Sequence, residues 1–165
     1  MALNSFTSGI NTSLSSELNE NYKGFAIQEV YTGNGFDRTG TAGSTAYELT
    51  AVSSSSIGSA DYAIVDVNVQ TYANNDSNGS SKGASLKIEV KETGSSYSTV
   101  YNDNLCDLSD EQKMDSPVHV RALVTLTAGM KSNGFQIQIT GTNTYTSSYA
   151  RLSNNFTTIT LVAGN

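Results

Sequence analysis

The two side-chain types that most often supply nucleophilic or acid–base chemistry, imidazole and thiol, each occur once in this 165-residue chain. His119 lies between two valines in an alternating segment, out of phase with them, so we expect it to face solvent or a partner. Cys106 lies beside Asp107, and nearby carboxylates oppose thiolate formation, so we expect it to pack as a small apolar group. Because neither residue belongs to a recognisable nucleophile–base set, we predict no catalytic residues and no enzymatic activity.

Carboxylates are concentrated between residues 103 and 115, a stretch without apolar periodicity that we predict to be a loop with one helical turn. The acidic residues of this stretch are Asp103, Asp107, Asp110, Glu111 and Asp115. Carboxylate oxygens suit a hard cation such as Ca²⁺. Solvated loop charges explain the same residues without any ligand, and this is the interpretation that we favour.

A second acidic motif, Asp76-Ser77-Asn78-Gly79, resembles the opening of a calcium-binding loop. The twelfth position of such a loop requires a bidentate Glu, and here it is Lys87. The sequence has no glycine-rich loop of the P-loop or dinucleotide type, and nothing singles out a carboxylate pair for glycoside hydrolysis. We therefore predict no metal site and no cofactor.

Tyrosine is the abundant aromatic residue, with nine copies against five Phe and no Trp. Tyr62 and Tyr72 fall on the polar side of their predicted strand. An exposed Tyr can stack on a sugar or anchor a protein interface, or it can cover a sheet face without any partner. If the protein is a carbohydrate-binding module, its exposed Tyr residues should lie together on one face. The absence of Trp counts mildly against such a module.

The composition restricts the partners. A net charge of -6 opposes general binding to nucleic acid, which needs clustered cations. The apolar runs are far too short for a membrane span, and a single Cys excludes an internal disulfide framework. Residues 1–6 lack a basic region followed by an apolar one, so we expect no signal peptide and synthesis in a cytoplasm.

The elements that position these residues are β-strands, because apolar and polar residues alternate through most of the chain after residue 23. The predicted strands are 24–32, 46–52, 60–72, 84–92, 96–102, 116–127, 134–141 and 155–163. Their phase predicts a buried set, since a slip of one residue would expose all of it. That set is Val65, Val67, Val69, Leu86, Ile88, Val90, Val120, Val124, Ile137 and Ile139.

About eight antiparallel strands with polar turns predict an all-β, two-sheet antiparallel sandwich, jelly-roll-like first and immunoglobulin-like second. Asn133-Gly134 is typical of a hairpin turn and would join segment 116–130 to strand 134–141. Pro117 is placed at a strand start, where its missing N–H costs least.

The N-terminus departs from the alternation. Its apolar residues are spaced by three or four, which predicts a helical stripe: Leu3, Phe6, Ile10, Leu14 and Leu18. An isolated short helix is marginal in water, so the stripe must pack on something. We divide the chain into an arm, residues 1–22, helical or extended, and a β-sandwich domain, residues 23–165. The arm docks on its own sandwich or on another subunit, or it is a disordered tail; we favour an assembly arm.

Segment 57–69, a long strand with a Thr/Ser/Gly-rich approach, resembles the jelly-roll virion structural proteins of tailed phages, as do segment 84–92 and the ending 155–163. The resemblance spans roughly residues 24–163 and is one of style, without a defined motif or a functional residue to carry over. It implies a domain that decorates a capsid, forms a fibre or spike head, or plugs a tail. A subunit of a leaderless secreted filament would have a similar sequence.

Two functions of different kinds follow from these observations. The first is a structural component of a virus particle, located in the virion, whose partners are copies of itself and other particle proteins. The second is a carbohydrate-binding or adhesin module, whose partners are surface glycans. A symmetric oligomer favours the first function, and a monomer favours the second.

Overall fold

The computed structural model describes residues 27–33, 37–39, 43–74, 82–108, 113–144 and 151–164. The proposed arm, residues 1–22, lies outside the described residues. The strands are β1 (Ile27–Gly33), β2 (Asp37–Thr39), β3 (Gly43–Glu48), β4 (Ala60–Asn74), β5 (Lys82–Glu92), β6 (Ser98–Leu108), β7 (Lys113–Thr125), β8 (Phe135–Asn143) and β9 (Arg151–Ala163). Two short helices are α1 (Ser54–Ile57) and α2 (Ala128–Asn133).

The strands pair antiparallel as nested ribbons, the first with the last and so on inward. β1 and β2 pair with β9, β3 with β8, β4 with β7, and β5 with β6. Pairing of β9 with β4 and of β8 with β5 then merges the ribbons into two sheets. Sheet A has the order β1-β9-β4-β7, with β2 also on β9, and sheet B has the order β3-β8-β5-β6. This order is that of a jelly roll and confirms the predicted fold class.

β1 and β2 behave as one interrupted strand. Gly33 pairs with Thr157, and Asp37 pairs with Ser153. Both steps are four residues long, so β1 and β2 pair with β9 in the same register. β2 therefore continues β1 along the same side of β9. Each of the eight predicted segments overlaps an observed strand, segment 46–52 by only three residues of β3, and β2 is the one addition among the described residues.

The core lies between the inner faces of the two sheets. All ten residues predicted to be buried are buried, and none of them exposes more than 5% of its surface. The large side chains that complete the core are Leu49, Ile57, Phe135, Ile159 and Leu161. Alternation of burial along β8 is strict over its nine residues. The period of two in the sequence thus reflects one face turned to the core and one turned outward.

The acidic stretch 103–115 is not the loop that its composition predicts. β6 continues to Leu108 and β7 begins at Lys113, so most of the stretch is strand. The prediction was wrong because long antiparallel pairing, here with β5 and β4, overrides the low strand propensity of Asp and Asn. The β6 ladder has two register shifts, between Ala84 and Ser85 and between Ile88 and Glu89 of its partner β5.

The predicted hairpin at Asn133-Gly134 is also wrong. β7 belongs to sheet A and β8 to sheet B, so the connection crosses between the sheets and contains α2. The Thr127 hydroxyl caps α2 by accepting a hydrogen bond from the Met130 N–H. Gly134 ends the helix with a φ of 84°, the left-handed geometry for which Asn-Gly is suited. The sequence thus correctly indicated a position that favours Gly, but it did not show that the connection crosses between the sheets.

Pro117 lies within β7 and not at its start. It is tolerated because β7 pairs with β4 alone among the described strands and forms an edge of sheet A. Neither helix in the described part of the chain is long and apolar enough to cross a membrane.

Candidate functional site

The outer face of sheet A brings together side chains that the alternation places opposite the core. On β4 these are the even-numbered residues from Tyr62 to Gln70, and they meet outward residues of β7 and β9 in register. Ile64 is paired with Leu123 on β7, and Tyr62 is paired with Val162 on β9. Phe156 lies six residues farther along β4, opposite Asn68.

We call Tyr62, Ile64, Leu123, Phe156 and Val162 the outer apolar face. Leu123 exposes 62% of its surface, Phe156 41% and Tyr62 36%, while Ile64 and Val162 are half-buried. Single exposed apolar residues are ordinary, but Tyr62, Ile64, Leu123 and Val162 are adjacent on three neighbouring strands and form a patch, and the polar row at Asp66 separates Phe156 from them. Such a patch is typical of a surface that contacts another molecule.

A charged cluster lies across the middle of this face, between the Ile64 and Asn68 positions of β4. The Asp66 carboxylate accepts hydrogen bonds from Arg121, Nε at 2.7 Å and Nη2 at 3.2 Å. His119 Nε2 lies 2.9 Å from the Asp66 Oδ1 atom. Arg121 is the direct cross-strand neighbour of Asp66, and His119 is one pair farther along. The strand register therefore assembles the cluster.

Burial raises the pKa of the Asp66 carboxyl, and the hydrogen bonds and charges of Arg121 and His119 outweigh that effect, so the pKa lies below its ordinary value. The same ion pair raises the pKa of Arg121. The Asp66 side chain is 16% exposed, whereas that of Arg121 is 65% exposed. The negative partner is thus covered while the guanidinium faces outward, and this part of the face presents positive charge.

His119 lies where the alternation predicts, on the outer face and half exposed. Its contact with Asp66 was not foreseen, because residues 66 and 119 become neighbours only through the pairing of β4 with β7. A signal for the apolar part of the face did exist in the sequence. Ile64 and Leu123 are large apolar residues in the polar phase of their strands.

The outer face of sheet B has a different chemistry. Glu48, Lys91 and Tyr97 form a cluster in which the Tyr97 hydroxyl donates to Glu48 Oε1 at 2.9 Å. The Lys91 ammonium lies 4.2 Å from the centroid of the Tyr97 ring and 3.6 Å from Glu48. Desolvation, and then the neighbouring carboxylates Glu48 and Glu89, raise the pKa of Tyr97. Tyr97 therefore stays protonated as a hydrogen-bond donor.

The rest of the sheet B outer face carries amides, hydroxyls and the Lys87–Glu89 ion pair. Gln138 is paired with Glu89, and Thr140 with Lys87, across β8 and β5. Ser44 and Thr142 share a hydrogen bond of 2.8 Å. No large apolar side chain joins these polar rows among the described residues of β5 and β8. This surface is built to hydrogen-bond with water or with polar ligands.

The described Tyr side chains do not gather on one face. Tyr62 belongs to the outer apolar face of sheet A, whereas Tyr97 belongs to the sheet B cluster. Tyr47 is exposed on the edge strand β3, and Tyr101 is half-buried against the core. The side chain of Tyr72 lies outside the described part. The arrangement expected of a Tyr-lined sugar platform is therefore not seen in the part described.

Cys106 is half-buried and packs against the core cluster, as predicted. It borders a cavity of about 220 Å³ that is also lined by Asn104 and Thr142. No charged side chain lines that cavity in the part of the chain that the structure describes.

The described carboxylates do not form a metal site. Asp103 and Asp115 are exposed on different sheets, β6 and β7. No group of three or more His, Cys, Asp or Glu among residues with described side chains could hold a metal ion. The motif at 76–79 and the acidic residues 110 and 111 lie outside the described residues, as do the arm residues Leu3, Phe6, Ile10, Leu14 and Leu18.

No family model and no curated protein matches the chain. Among solved structures it is similar to the VP2 subviral particle of infectious bursal disease virus, with 8% identity, a TM-score of 0.50, and coverage of 84% of this chain. A xylan-binding module, CBM15, matches with 14% identity and a TM-score of 0.41, over 85% of this chain and 99% of the module. The insecticidal delta-endotoxin Cry8Ea1 from Bacillus thuringiensis matches with 11% identity and a TM-score of 0.42, over 81% of this chain and 20% of the toxin.

The chain spans about a third of the VP2 chain, 33%. At such identity the likeness to VP2 shows a common fold and nothing finer. The all-β jelly roll is thus supported both by the strand order and by this neighbour.

Proposed function

We propose that the protein is a structural component of a virus particle, a capsid decoration, fibre or tail-associated protein that acts through protein–protein assembly. The observation that carries the proposal is the outer apolar face of sheet A. Its partners are copies of the chain and other particle proteins, its location is the virion, and it performs no catalysis.

The composition of this face suits an interface between proteins. Aromatic and Arg side chains are enriched at energetically important interface positions. The outer apolar face contains Tyr62 and Phe156, and the exposed Arg121 lies beside its members. Burying a large apolar side chain contributes about 1.5–3 kcal/mol. Covering the exposed parts of these side chains, above all that of Leu123, therefore favours association.

The fold and the sequence support the same function. The fold of this chain is similar to that of VP2, whose structure is that of a subviral particle. The sequence style resembles that of tailed-phage virion proteins, and the arm, residues 1–22, would attach the domain to its neighbours. These features support a particle component, and the tailed-phage assignment remains part of the proposal.

Sedimentation velocity on matched variants tests the role of the face. Leu123→Asp places a charge on the most exposed member of the outer apolar face, and Ala46→Asp places one on the exposed edge strand of sheet B. We expect the unmodified chain and Ala46→Asp to sediment as the same oligomer, and Leu123→Asp to sediment as a monomer. Since Leu123 is exposed, its replacement leaves the core intact.

Circular dichroism of each variant confirms that the fold is retained. If Leu123→Asp sediments as the same oligomer as the unmodified chain, then assembly does not use this face and the proposal fails. A loss of assembly in Ala46→Asp alone would place the interface on sheet B instead.

A second function, carbohydrate binding, is favoured by a separate observation, the outer face of sheet B. Its amides, hydroxyls and the Lys91–Tyr97 pair offer many hydrogen-bonding groups and one aromatic ring. Binding to an array of surface glycans tests it, with Gln138→Ala and Tyr97→Phe as variants and Leu123→Asp as the control. If the protein is monomeric and its glycan binding is lost in the sheet B variants, carbohydrate binding is its function.

A further inference from the structure

We propose that the outer apolar face is covered by the arm, residues 1–22, of a neighbouring copy of the chain. The inference rests on the proposed function, because it names the partner surface through which the copies assemble. It connects two features that are otherwise separate, an exposed apolar patch in the structure and an apolar stripe in the sequence.

The dimensions of the face match those of the stripe. Along β4, the apolar positions extend from Tyr62 to the pair of Asn68 with Phe156, six residues or about 20 Å. Leu3 and Leu18 are fifteen residues apart, which is about 22 Å in a helix. The face is three strands wide, about 10 Å between β7 and β9, which is the diameter of a helix. One helix laid along the strands would cover it.

The charges of the arm and the face are complementary. Residues 1–22 contain Glu17 and Glu20 and no Lys or Arg. The face presents the Arg121 guanidinium, while the Asp66 carboxylate beneath it is largely covered. Asp115, an acidic residue on the outer side of β7, lies at the far end of the face and accepts a hydrogen bond from Gln70. An acidic arm with apolar side chains fits such a surface.

The same charges disfavour direct docking of two outer faces. A face-to-face pair of copies would bring the exposed Arg121 of each subunit into one interface, and like charges in an interface are unfavourable. The acidic arm supplies the opposite charge and an apolar stripe together. The observations therefore favour the arm as the occupant.

The path of the chain points to the arm of a neighbour. β1 begins at Ile27, which pairs with Val162, at the Tyr62 end of the face. From there β1 runs in the direction of the Asp66 position, so a chain continued backwards in line with β1 would point away from the face. Docking on its own face would require a reversal within residues 23–26. Without that reversal, the arm extends to another copy.

Cross-linking between mixed variants tests the inference in a Cys106→Ser background, which removes the native thiol. One protein carries Leu14→Cys and the other carries Leu123→Cys, and a short bis-maleimide joins thiols that lie close together. We expect a covalent dimer of the two variants, detected by denaturing gel and mass spectrometry. Phe6→Cys serves as a second arm position, and Ala46→Cys on sheet B is the matched control for the face.

The outcomes separate this inference from the proposed function, because sedimentation velocity is measured on the same samples. Dimers formed through Leu123→Cys at a yield at least tenfold above Ala46→Cys support arm docking. Oligomers without a cross-link from either arm position to the face would overturn the inference and leave the proposed function standing. If a chain carrying both Leu14→Cys and Leu123→Cys links within itself in place of linking to another copy, the arm lies on its own domain and the inference is wrong.

Discussion

Asp66 shows how a single residue on this surface depends on its cross-strand neighbours. Burial alone would raise the pKa of its carboxyl, and Arg121 reverses the sign by supplying two hydrogen bonds and a positive charge. His119 contributes a single contact and is half exposed. The cluster orients Arg121 outward at the centre of the apolar face, so its geometry affects the proposed interface as well as the sheet.

Replacing Arg121 by Gln should therefore raise the pKa of Asp66, because burial is then opposed by His119 alone. The carboxyl carbon of Asp66, followed by NMR during a pH titration, measures this directly. His119→Gln is the matched control, and we expect it to change the Asp66 pKa less than Arg121→Gln does. An Asp66 pKa that responds more to His119→Gln would show that the histidine is the dominant partner.

The depressed pKa also makes a contribution to stability with a defined pH dependence. Because the folded-state pKa of Asp66 lies below the unfolded one, the contribution is present above the unfolded pKa and lost as pH falls through the folded pKa. Asp66→Asn should cost about 1 kcal/mol at pH 7, a value kept small by the exposure of Arg121, and less at pH 2. Urea unfolding at both pH values checks this, and an equal cost at both would contradict it.

At the scale of single elements, the sequence predicts strands well and their connections poorly. The alternation identified all eight predicted strand segments and the inward phase of the ten core positions, since burial on one face is a local property. To predict the connection at Asn133-Gly134 correctly, one would have to know that β7 and β8 belong to different sheets. To predict strands in the acidic stretch 103–115, one would have to know that its first part pairs with β5 and its last part with β4.

Gly134 is the position where the crossover between the sheets is most restricted. Its φ is positive, and a Cβ there would lie 2.5 Å from the carbonyl oxygen of Val52, whose backbone bridges Phe135. Gly94 also has a positive φ, but a Cβ there would meet nothing within 4 Å. We expect Gly94→Ala to cost about 1 kcal/mol, from the backbone conformation alone.

Gly134→Ala should cost at least about 2 kcal/mol, because the steric conflict with backbone adds to the conformational cost. Urea midpoints for the two variants and the unmodified chain provide the comparison. Equal losses of stability in both variants would show that the contact with Val52 relaxes at little cost.

At the scale of the whole molecule, the candidate site depends on pairings that no local pattern specifies. The sequence shows Ile64 and Leu123 as apolar residues in polar phases, but their adjacency follows from the register of β4 with β7. The approach of Phe156 likewise depends on β9 lying between β1 and β4. Residues 64 and 156 are far apart in the sequence, so only the nested topology places them on one surface.

The arm should be separable from the domain. Deleting residues 2–20 removes the apolar stripe and leaves every described element, so we expect the β-domain to stay folded while assembly or attachment is lost. Far-ultraviolet circular dichroism and sedimentation velocity on the truncated protein measure the two properties. Unfolding of the truncated protein would show that the stripe belongs to the core of its own domain. Normal assembly would show that the arm is not needed for assembly.

Native mass spectrometry of the unmodified chain tests the central claim, that this jelly roll functions by assembling. Covering the outer apolar face in every subunit requires a partner for each copy, and symmetric oligomers provide one. We predict a single symmetric oligomer that persists on dilution to micromolar concentration. A monomer across the same concentrations would contradict the account and would favour the carbohydrate-binding alternative on sheet B.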